Sequence, residues 1–488
     1  MPTSISSHIE PNIAYIQSVF KDCSDLSIIP WQYGPRLMNR AVSVYFDTMV
    51  LDKKTNYFKQ TLQDIVPREI GAGTDVSLAM IIECFSRHIA SQESAILLDD
   101  FEVVERLLLS GSLIIFIDGW NKVISYRAGN IETRQVDEPV TEPVVQGPRE
   151  STVENLKKNI GMIRARIQHP SMKFNYVPTA GYARTTIAYG YLEGVVDPDV
   201  LTEFVSRINQ LPKGDILETS YIEDCIEDST WTPFPQYRYT ERTDIAAAAL
   251  LNGKIIVLVE GTGSVLICPG LFFELMQSSE DYYQRTLLAN TIRILRLISF
   301  LIALGLPSIY IAISTFHTEL IPTVLLLAII DSREGIPFPA FAEAIIMSFI
   351  FELLREAGIR LPRPVGSAVS IVGALVVGEA AISAGIASPI MVVVTALTGI
   401  ASFSMPQYNF AISLRLLQLP LMLLAAVLGG FGLMIGYLLI WNHLVRLKSL
   451  GIPYMIPLAP WITGQLRDTV YRKPLRSLIS HKKPTAKN

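Results

Sequence analysis

The spacing of apolar and polar residues along the chain changes near residue 293. Before that point, short apolar runs alternate with polar turns, as is typical of a water-soluble α/β domain. After it, the runs at 294–315 and 420–441 are each long enough to cross a hydrocarbon layer of about 30 Å. The pattern therefore predicts an α/β head followed by an α-helical multi-pass membrane domain.

An internal repeat divides the head. The stretch LLSGSLIIFIDGWNKVIS (108–125) matches LLNGKIIVLVEGTGSVLI (250–267) at an offset of 142 residues. Each copy has an apolar run, an acid–Gly pair and a second apolar run, which predicts two strands joined by a tight turn. A weaker match links 41–65 with 186–208, where a strand, an Asp-containing turn and an amphipathic helix follow one another. The head is therefore predicted to contain two related α/β subdomains.

The predicted boundaries are 1–145 for the first α/β subdomain, 146–290 for the second, 291–443 for the helical transmembrane domain and 444–488 for a basic tail. A polar, Pro-rich linker joins the two subdomains. It leads into a basic amphipathic helix through Arg164 and Arg166, for which Thr152 is the candidate N-cap. The polar face of this helix either is solvated or docks on the acidic head of a neighbouring subunit.

Four segments of the membrane domain are predicted to cross the bilayer fully: 294–315, 365–386, 389–408 and 416–441. Two other apolar segments leave alternatives open. Leu320–Ile330 is too short to span unless it is extended or re-entrant. Phe341–Leu354 carries Glu343 and Glu352, so it lies at the interface or lines water.

The distribution of charge predicts the topology. Residues 1–296 carry 27 basic and 37 acidic side chains, whereas residues 442–488 carry nine basic side chains and one acidic. The acidic head argues against nucleic-acid binding. The basic tail is predicted to be cytoplasmic by the positive-inside rule, and the N-terminus lacks the pattern of a signal peptide. With the head and the tail on the same side, the number of crossings is expected to be even.

One predicted membrane helix carries the candidate pore residues. Small residues recur every four positions along it, at Gly366, Ser370, Ala374 and Gly378, which suits either close helix packing or a ring of helices around a narrow pore. Glu379 follows, and an acid within an apolar span usually faces protein or water. A ring of such acids would favour cations. The alternatives are a buried hydrogen bond or a place near the headgroups, and Arg415 either pairs with Glu379 or extends to the interface.

The sequence contains no recognisable catalytic motif. The six His residues are far apart, the four Cys residues form no metal-binding or redox pair, and no phosphate-binding loop is present. The pairs Asp118-Gly119 and Glu260-Gly261 suit hairpin turns better than paired catalytic acids. The chain is therefore predicted not to be an enzyme and to need no metal or cofactor.

Long stretches of the chain resemble one known family. They are GPRESTVENLKKNIGMIRARIQHP (147–170), TPFPQYRYTERTD (232–244), FFELMQSSEDYYQR (272–285), 336–389 beginning IPFPAFAEAIIMS, and ASFSMPQYNFAISLRLL (401–417). Over nearly its full length the chain resembles the A subunits of GerA-type spore germination receptors. It departs from them at Gln418, where a basic residue is common, and at Gly378-Glu379, where Gly-Gln is frequent.

The resemblance implies a function as well as a family. Such A subunits lie in the inner membrane of dormant endospores, with a permease-like B subunit that binds the nutrient and a lipoprotein C subunit. The A subunits are thought to form a homo-oligomeric ring that opens as a nutrient-gated ion channel and releases monovalent cations. No cofactor is implied.

Two places are candidate hinges or subunit contacts. Gly147, Pro148 and Arg149 lie in the linker between the subdomains. Pro337 and Pro339, in the sequence GIPFP, would break a helix and form a rigid corner.

Three alternatives to a channel are considered. A secondary transporter would need paired broken helices in two related membrane halves, and 294–441 shows no such repeat. A membrane-anchored enzyme would keep its activity in the isolated head. A non-conducting scaffold or signal-amplifying paralogue would not depend on the membrane acids, whereas a channel predicts that ion flux responds to substitution of Glu379 or Glu352.

Overall fold

The structure is a computed structural model, and the residues that it describes are 4–34, 37–50, 96–129, 139, 142–212, 214–361, 373, 375–462, 468–469 and 471–474. The chain forms two units. The head unit comprises Met1–Ile226, Tyr239–Pro269 and Lys483–Asn488, and the helical unit comprises Glu227–Arg238 and Gly270–Lys482.

The head unit contains two five-stranded sheets with the same strand order. The first sheet has the order β1-β2-β4-β5-β3, with strands Leu26–Tyr33 (β1), Asn39–Phe46 (β2), Ile96–Leu98 (β3), Ser112–Ile117 (β4) and Val123–Arg127 (β5). The second has the order β6-β7-β9-β10-β8, with strands Met172–Pro178 (β6), Thr186–Leu192 (β7), Arg238–Thr240 (β8), Ile255–Val259 (β9) and Val265–Cys268 (β10). Because strand order is the same, each sheet is one copy of the repeated fold.

The hairpins β4–β5 and β9–β10 lie where the two sequence stretches match. Both are antiparallel, and the glycine of each acid–Gly pair has a positive φ, 83° at Gly119 and 90° at Gly261. A residue without a Cβ adopts this conformation at little cost, which explains the glycine in each turn. The strands are buried along their whole length apart from Arg127, so each hairpin forms the centre of its sheet.

The helices of the head unit are Ile9–Val19 (α1), Phe101–Leu109 (α2), Leu156–Arg166 (α3), Pro198–Ile208 (α4), Thr219–Ile226 (α5) and Thr243–Leu251 (α6). Helix α4 is the helix predicted after the turn at Asp197, whose carboxylate caps it by accepting from the N–H of Asp199 at 3.0 Å. The corresponding helix predicted after Asp52 lies outside the described residues.

The two copies share hydrogen bonds as well as strand order. Asn12 in α1 accepts from the N–H of Ser6 at 2.9 Å and donates to the carbonyl of the same residue at 2.7 Å. In the second copy, Asn159 in α3 makes the same pair of bonds to Val153, at 2.8 and 2.6 Å. Both Asn side chains are buried, so their amide groups depend on these partners.

The predicted start and environment of α3 were wrong. The N-cap is Asn155, which accepts from the N–H of Lys158 at 2.9 Å, whereas the hydroxyl of Thr152 donates to the carbonyl of Glu241 at 3.0 Å. The helix is also largely buried, in contrast to a solvated face. The observed N-cap lies three positions after the predicted one. Thr152 is hydrogen-bonded to Glu241 of the second copy, and the helix begins only after this contact.

Arg164 of α3 joins the second copy to the first. Its Nε and Nη2 donate to the two oxygens of Asp25 at 2.6 and 2.7 Å, and its guanidinium lies 4.2 Å from the ring centroid of Phe46. Both charged side chains are almost fully buried. Burial alone would lower the pKa of Arg164, but the neighbouring Asp25 carboxylate more than offsets this and raises it, so the guanidinium keeps its charge. Arg164 therefore makes its contact within the chain, and a contact of this helix with a neighbouring subunit stays a prediction.

The helical unit begins with the short helices Phe272–Leu275 (α7) and Glu280–Tyr283 (α8). It continues with Thr286–Thr315 (α9), Thr323–Ser332 (α10), Ala340–Arg360 (α11), the helical residues 375–383, Pro389–Phe403 (α12) and Tyr408–Arg446 (α13). A 3₁₀ turn lies at Thr318–Leu320, and a two-stranded ribbon pairs Lys448–Ser449 (β11) with Ile452–Pro453 (β12). Among the described residues, α9 and α13 are long and apolar enough to cross a membrane.

Helix α13 reverses direction at Gly429, where φ is 58° and ψ is −139°. Phe410 and His443 each lie 6.2 Å from the ring centroid of Phe234, although a straight helix would hold them about 50 Å apart. The segment predicted as one crossing, 416–441, is therefore a hairpin of two limbs, 408–428 and 430–446. The sequence pattern missed the reversal because both limbs are equally apolar.

The limbs pack on α9 and define two ends of the helical unit. At one end, called the base end, Phe300 stacks on Phe410 with centroids 6.0 Å apart. At the other, the far end, the N–H of Gly430 donates to Nε2 of His317 at 3.1 Å, just beyond the last residue of α9. The chain thus runs from base to far end in α9 and in the first limb, and returns in the second.

Helices α11 and α12 both run from the far end to the base end. Ala340 and Met391, near their starts, pack in one cluster with Ile311 of α9. At the base end, Nη1 of Arg355 in α11 donates to the hydroxyl of Tyr408 at 3.4 Å, and Ala401 near the end of α12 packs in the cluster of Phe410. Residues 375–383 precede α12 in the chain, and Gly378 lies beside Val392 near the start of that helix. Of the long helices described, α9 and the first limb therefore run one way, and α11, α12 and the second limb run the other.

Candidate functional site

Glu343 is fully buried in the first turn of α11, where it joins three elements. Its Oε1 lies 3.1 Å from Nη2 of Arg333, which follows α10, and its Oε2 accepts from the N–H of Ser388 at 2.9 Å. Ser388 is in turn the N-cap of α12 and accepts from the N–H of Met391. A buried carboxylate is costly unless it is paired and hydrogen-bonded, so this arrangement holds α10, α11 and α12 together at the far end.

Glu352 lies three turns along α11, at the base end, and faces two arginines. It forms an ion pair with Arg355 on its own helix, and its Oε2 lies 3.6 Å from Nε of Arg415 in α13. The Glu352 side chain is 46% exposed, whereas that of Arg415 is 16% exposed. The structure therefore pairs Arg415 with Glu352, and not with Glu379 as one sequence interpretation had it.

Glu379 lies on the exposed face of the helical segment 375–383. Leu375 and Val376 on the same face are 69% and 56% exposed, whereas Gly378 is buried. A Cβ at Gly378 would meet Cγ1 of Val392 at 3.6 Å, an ordinary contact, so its packing against α12 does not require glycine. The other small residues predicted to share this helix, Gly366, Ser370 and Ala374, lie outside the described residues.

The two candidate hinge regions are the GIPFP sequence at 335–339 and the linker at Gly147, Pro148 and Arg149. Pro339 is the N-cap residue of α11, and Pro337 precedes it in the turn. In the linker, Pro148 lies between Gly147 and Arg149. Its carbonyl accepts from Nη2 of the buried Arg242 at 2.9 Å. The linker is therefore tied to the second copy at this point, and its role as a hinge stays a prediction.

Sequence reasoning missed a group of buried charges at the start of α9. This base cluster consists of the buried Asp281, Arg293, Arg296 and Arg472 and the half-buried Asp468. Arg293 donates to Asp281 at 3.1 Å and to Asp468 at 2.9 Å, and Arg296 donates to both oxygens of Asp281 at 3.0 and 3.2 Å. These bonds compensate the cost of burying charges, and they fix residues after the last helix to the first turns of α9.

The chain around Arg472 is held by its backbone as well. Its N–H donates to Oδ1 of Asn290 at 2.7 Å, and Nδ2 of Asn290 donates back to its carbonyl at 3.1 Å. The hydroxyl of Tyr282 donates to Asp468 at 2.7 Å; burial, followed by the charge of Asp468, raises the pKa of Tyr282. Asp281 and Tyr282 lie in the block 272–285, and Asp468 and Arg472 lie in the basic tail. The local sequence around either pair does not indicate that the two regions are in contact.

A second contact network surrounds the strap, defined as residues Glu227–Arg238. The hydroxyl of Thr232 lies 2.8 Å from Nε2 of His443 in the second limb, and Ser413 in the first limb donates to the carbonyl of Pro233. The strap therefore contacts both limbs of the α13 hairpin at the base end.

The following residues of the strap are fixed to the chain after α13. The hydroxyl of Tyr454 donates to the carbonyl of Pro235 at 2.8 Å, and that of Ser449 donates to the carbonyl of Gln236 at 2.6 Å. Phe234 is buried between the limbs. Part of the block 232–244, which carried the family resemblance, thus serves to join separate parts of the helical unit.

No group of three or more His, Cys, Asp or Glu side chains suited to a metal ion occurs in the part of the chain that the structure describes. The polar groups of the helical unit are instead arranged as ion pairs between helices. Such an arrangement can hold helices in register or line a path for ions.

Comparison with known proteins gives a consistent result. The family model "Bacillus/Clostridium GerA spore germination protein" matches residues 14–485. The chain is 46% identical to spore germination protein KA of Bacillus subtilis (strain 168), over 75% of this chain and 68% of the relative. It is 37% identical to the uncharacterized membrane protein YfkQ of the same organism, over 96% of this chain and 90% of the relative.

One solved structure is also similar. It is the crystal structure of the N-terminal domain of the A subunit of the Bacillus megaterium spore germinant receptor GerK3, with 24% sequence identity and a TM-score of 0.42. The match covers 56% of this chain and 98% of that domain.

Proposed function

This chain belongs to the Bacillus/Clostridium GerA spore germination protein family, and we propose that it is the A subunit of a nutrient-responsive spore germination receptor. In this proposal the subunits form a ring in the inner membrane of the spore. The head and tail lie in the cytoplasm, and the ring opens as a cation channel. A permease-like B subunit binds the nutrient, and a lipoprotein C subunit completes the receptor.

The opposite directions of the helices support a multi-pass arrangement. In this proposal α9, α11, the segment that contains residues 375–383, α12 and the two limbs of α13 are six passes across the membrane. Each limb has about 17 to 21 residues, or roughly 25 to 31 Å, close to the thickness of a hydrocarbon layer. Outward-facing residues along the middle of the limbs are apolar, with Leu423, Val427 and Leu438 between 53% and 64% exposed.

The base cluster supports placing both ends of the membrane domain on one side. Asp468 and Arg472 contact the start of α9, so the chain leaves the membrane domain where it entered it. An even number of passes would also leave the start and the end of the membrane domain on the same side. The basic tail then assigns this side to the cytoplasm by the positive-inside rule.

The observation that carries the channel proposal is the position of Glu379. Its side chain is on an outward, otherwise apolar face of a helix in the membrane domain. Such a carboxylate is unfavourable against lipid and is stable against a neighbouring subunit or water. A ring of subunits that brings these faces together would place one carboxylate from each at its centre, where the charge favours cations.

The test is the release of monovalent cations from spores that carry Glu379→Gln. We expect release after nutrient addition to slow by roughly two- to tenfold, because the charge that favours cations is lost. Glu334→Gln, at an exposed acid in the turn after α10, is the matched control and should leave release unchanged. Protein level is checked by immunoblotting, and normal release from Glu379→Gln at normal level would contradict the pore role of this residue.

One observation favours a non-conducting scaffold or signal-amplifying paralogue as the second candidate. Glu343 and Glu352, the other two acids proposed for a pore, are each paired with arginine, as expected of residues that hold helices together. Under this alternative, Glu379→Gln and Glu352→Gln would both leave cation release unchanged, while Glu343→Gln would lower the amount of folded protein.

A further inference from the structure

The strap presents one large side chain to its surroundings. Trp231 is 95% exposed, although Trp carries one of the largest apolar surfaces of any residue. The next residues, Thr232 to Gln236, are held by the hydrogen bonds described above, so Trp231 occupies a defined position in the helical unit. An exposed Trp beside a firmly held segment is available for contact with something outside the chain, and its ring suits surroundings that are apolar on one side and polar on the other.

The level of Trp231 along the helices follows from its neighbour. Thr232 contacts His443, one turn before the second limb ends at Arg446. Trp441, which is 42% exposed, lies two residues before His443, or about 3 Å along the axis. Basic residues follow directly, at Arg446 and Lys448.

The first limb has an aromatic residue at the same level. Tyr408, its first residue, is 53% exposed. Phe410 lies two residues on and contacts Phe234 of the strap, with ring centroids 6.2 Å apart. The guanidinium of Arg355 lies 5.9 Å from the ring centroid of Tyr408. Aromatic and basic groups thus surround the base end together.

We propose that Trp231, Trp441 and Tyr408 form an aromatic belt that binds the lipid headgroup layer at the base end, so that the strap is a membrane-interface element. Trp and Tyr concentrate at this depth of a bilayer because their rings are apolar and their N–H or O–H groups need polar partners. The basic residues beyond the belt favour anionic headgroups. The inference rests on the membrane placement proposed above.

The consequence is that the strap contacts lipid and both limbs of the hairpin at once. A displacement of the strap would change the contacts of Thr232 and Pro233 with the limbs, and it would also move Trp231 in the headgroup layer. The lipid surface is therefore part of the environment that fixes the helices at the base end.

The belt is tested by the depth of single Trp residues in reconstituted full-length protein. Variants that retain only Trp231, only Trp441 or only Trp31, with Phe in place of the other Trp residues, are placed in vesicles of phosphatidylcholine and phosphatidylglycerol. The vesicles contain lipids brominated near either the headgroup end or the methyl end of the acyl chains. Bromine quenches Trp emission at short range, so quenching reports depth.

We expect emission from Trp231 to fall about twofold with bromine near the headgroups and clearly less with bromine near the chain ends, as for a residue at the interface. Trp441 should behave in the same way, and Trp31, which is buried in the first sheet, should be unaffected. If the multiple replacements disturb folding, the difference in quenching between the unaltered chain and Trp231→Phe measures the same quantity.

The outcomes distinguish failure of the aromatic-belt inference from failure of the membrane placement on which it rests. If Trp441 is quenched but Trp231 is not, the strap is covered by protein or water and the inference is overturned, while the membrane placement stands. If neither is quenched, the membrane placement itself is wrong.

Discussion

The two copies in the head share their internal structure but differ in what their first helices contact. Asn12 and Asn159 make the same bonds in α1 and α3, so these interior hydrogen bonds are the same in both copies. Their outer faces differ, since Arg164 of α3 is buried against the first copy and Gln17, at the equivalent position of α1, is exposed. The comparison shows that the two copies share interior contacts, whereas Arg164, which helps to join the copies, has no counterpart in α1.

Gly161 is a second difference between these helices. A Cβ at this position would collide with the carbonyl oxygen of Thr48 in the first copy. The equivalent residue of α1 is Ala14, which is exposed. A close approach of α3 to the first copy therefore requires the absence of a side chain at one position and a buried charge at another.

The largest effect is expected from Arg164→Leu, which leaves the carboxylate of Asp25 buried without its cation. We expect the head to lose about 3–5 kcal/mol of unfolding free energy, as is usual when one partner of a buried pair is removed. Urea unfolding followed by the emission of Trp31 measures the loss. Gln17→Leu in α1 is the matched control and should change stability by less than about 0.5 kcal/mol.

Adding Asp25→Asn to Arg164→Leu sharpens this result. Neutralising the unpaired carboxylate should recover part of the loss, which shows that the buried charge and not the altered packing is responsible. Equal losses from Arg164→Leu and Gln17→Leu would contradict the difference between the two helices.

An intermediate effect is expected from the paired substitutions Asn12→Ala and Asn159→Ala. Each removes an amide that both donates to and accepts from one backbone residue, at a cost of about 1–3 kcal/mol. Hydrogen exchange at the amides of Ser6 and Val153 measures the local loss of protection. A large effect in only one copy would show that the shared bonds do not contribute equally.

The smallest effect is expected at the N-cap of the same two helices. Asn155 caps α3 through its side chain, so Asn155→Ala should cost about 1 kcal/mol. His8 precedes α1 without a side-chain cap, and His8→Ala should be close to neutral. Exchange at the amide of Lys158, compared with the first turn of α1, decides whether the two caps differ in this way.

The sequence predicted features that depend on residues close together in the chain, and it missed features that depend on residues far apart in the chain. The hairpins at 112–127 and 255–268 were predicted because apolar runs and a Gly turn lie next to one another in the chain. The burial of α3 was not predicted, because a basic helix is expected to be solvated. Its partner Asp25 lies 139 positions away from Arg164 in the chain, so the local sequence gives no sign of the pair.

The candidate site follows the same rule. Pro339 at the start of α11 and the acids of that helix were found from local pattern. The pairing of Arg415 with Glu352, and the contacts of Asp468 and Arg472 with α9, join residues 63 or more positions apart with no repeated spacing. The reversal at Gly429 was missed for a different reason, because glycines within an apolar run are common in membrane helices and Gly429 is one of four between 429 and 436.

The strap also bears on the order in which the chain can be completed. Its hydrogen-bond partners His443 and Tyr454 are 211 and 219 residues further along the chain. During synthesis the strap therefore emerges long before anything that it can hold, and such distant contacts are slow to form because the loop between them must first close. A nascent chain that stops before residue 443 therefore contains the strap and Ser413, which contacts it, but lacks the contacts of the strap with His443 and Tyr454.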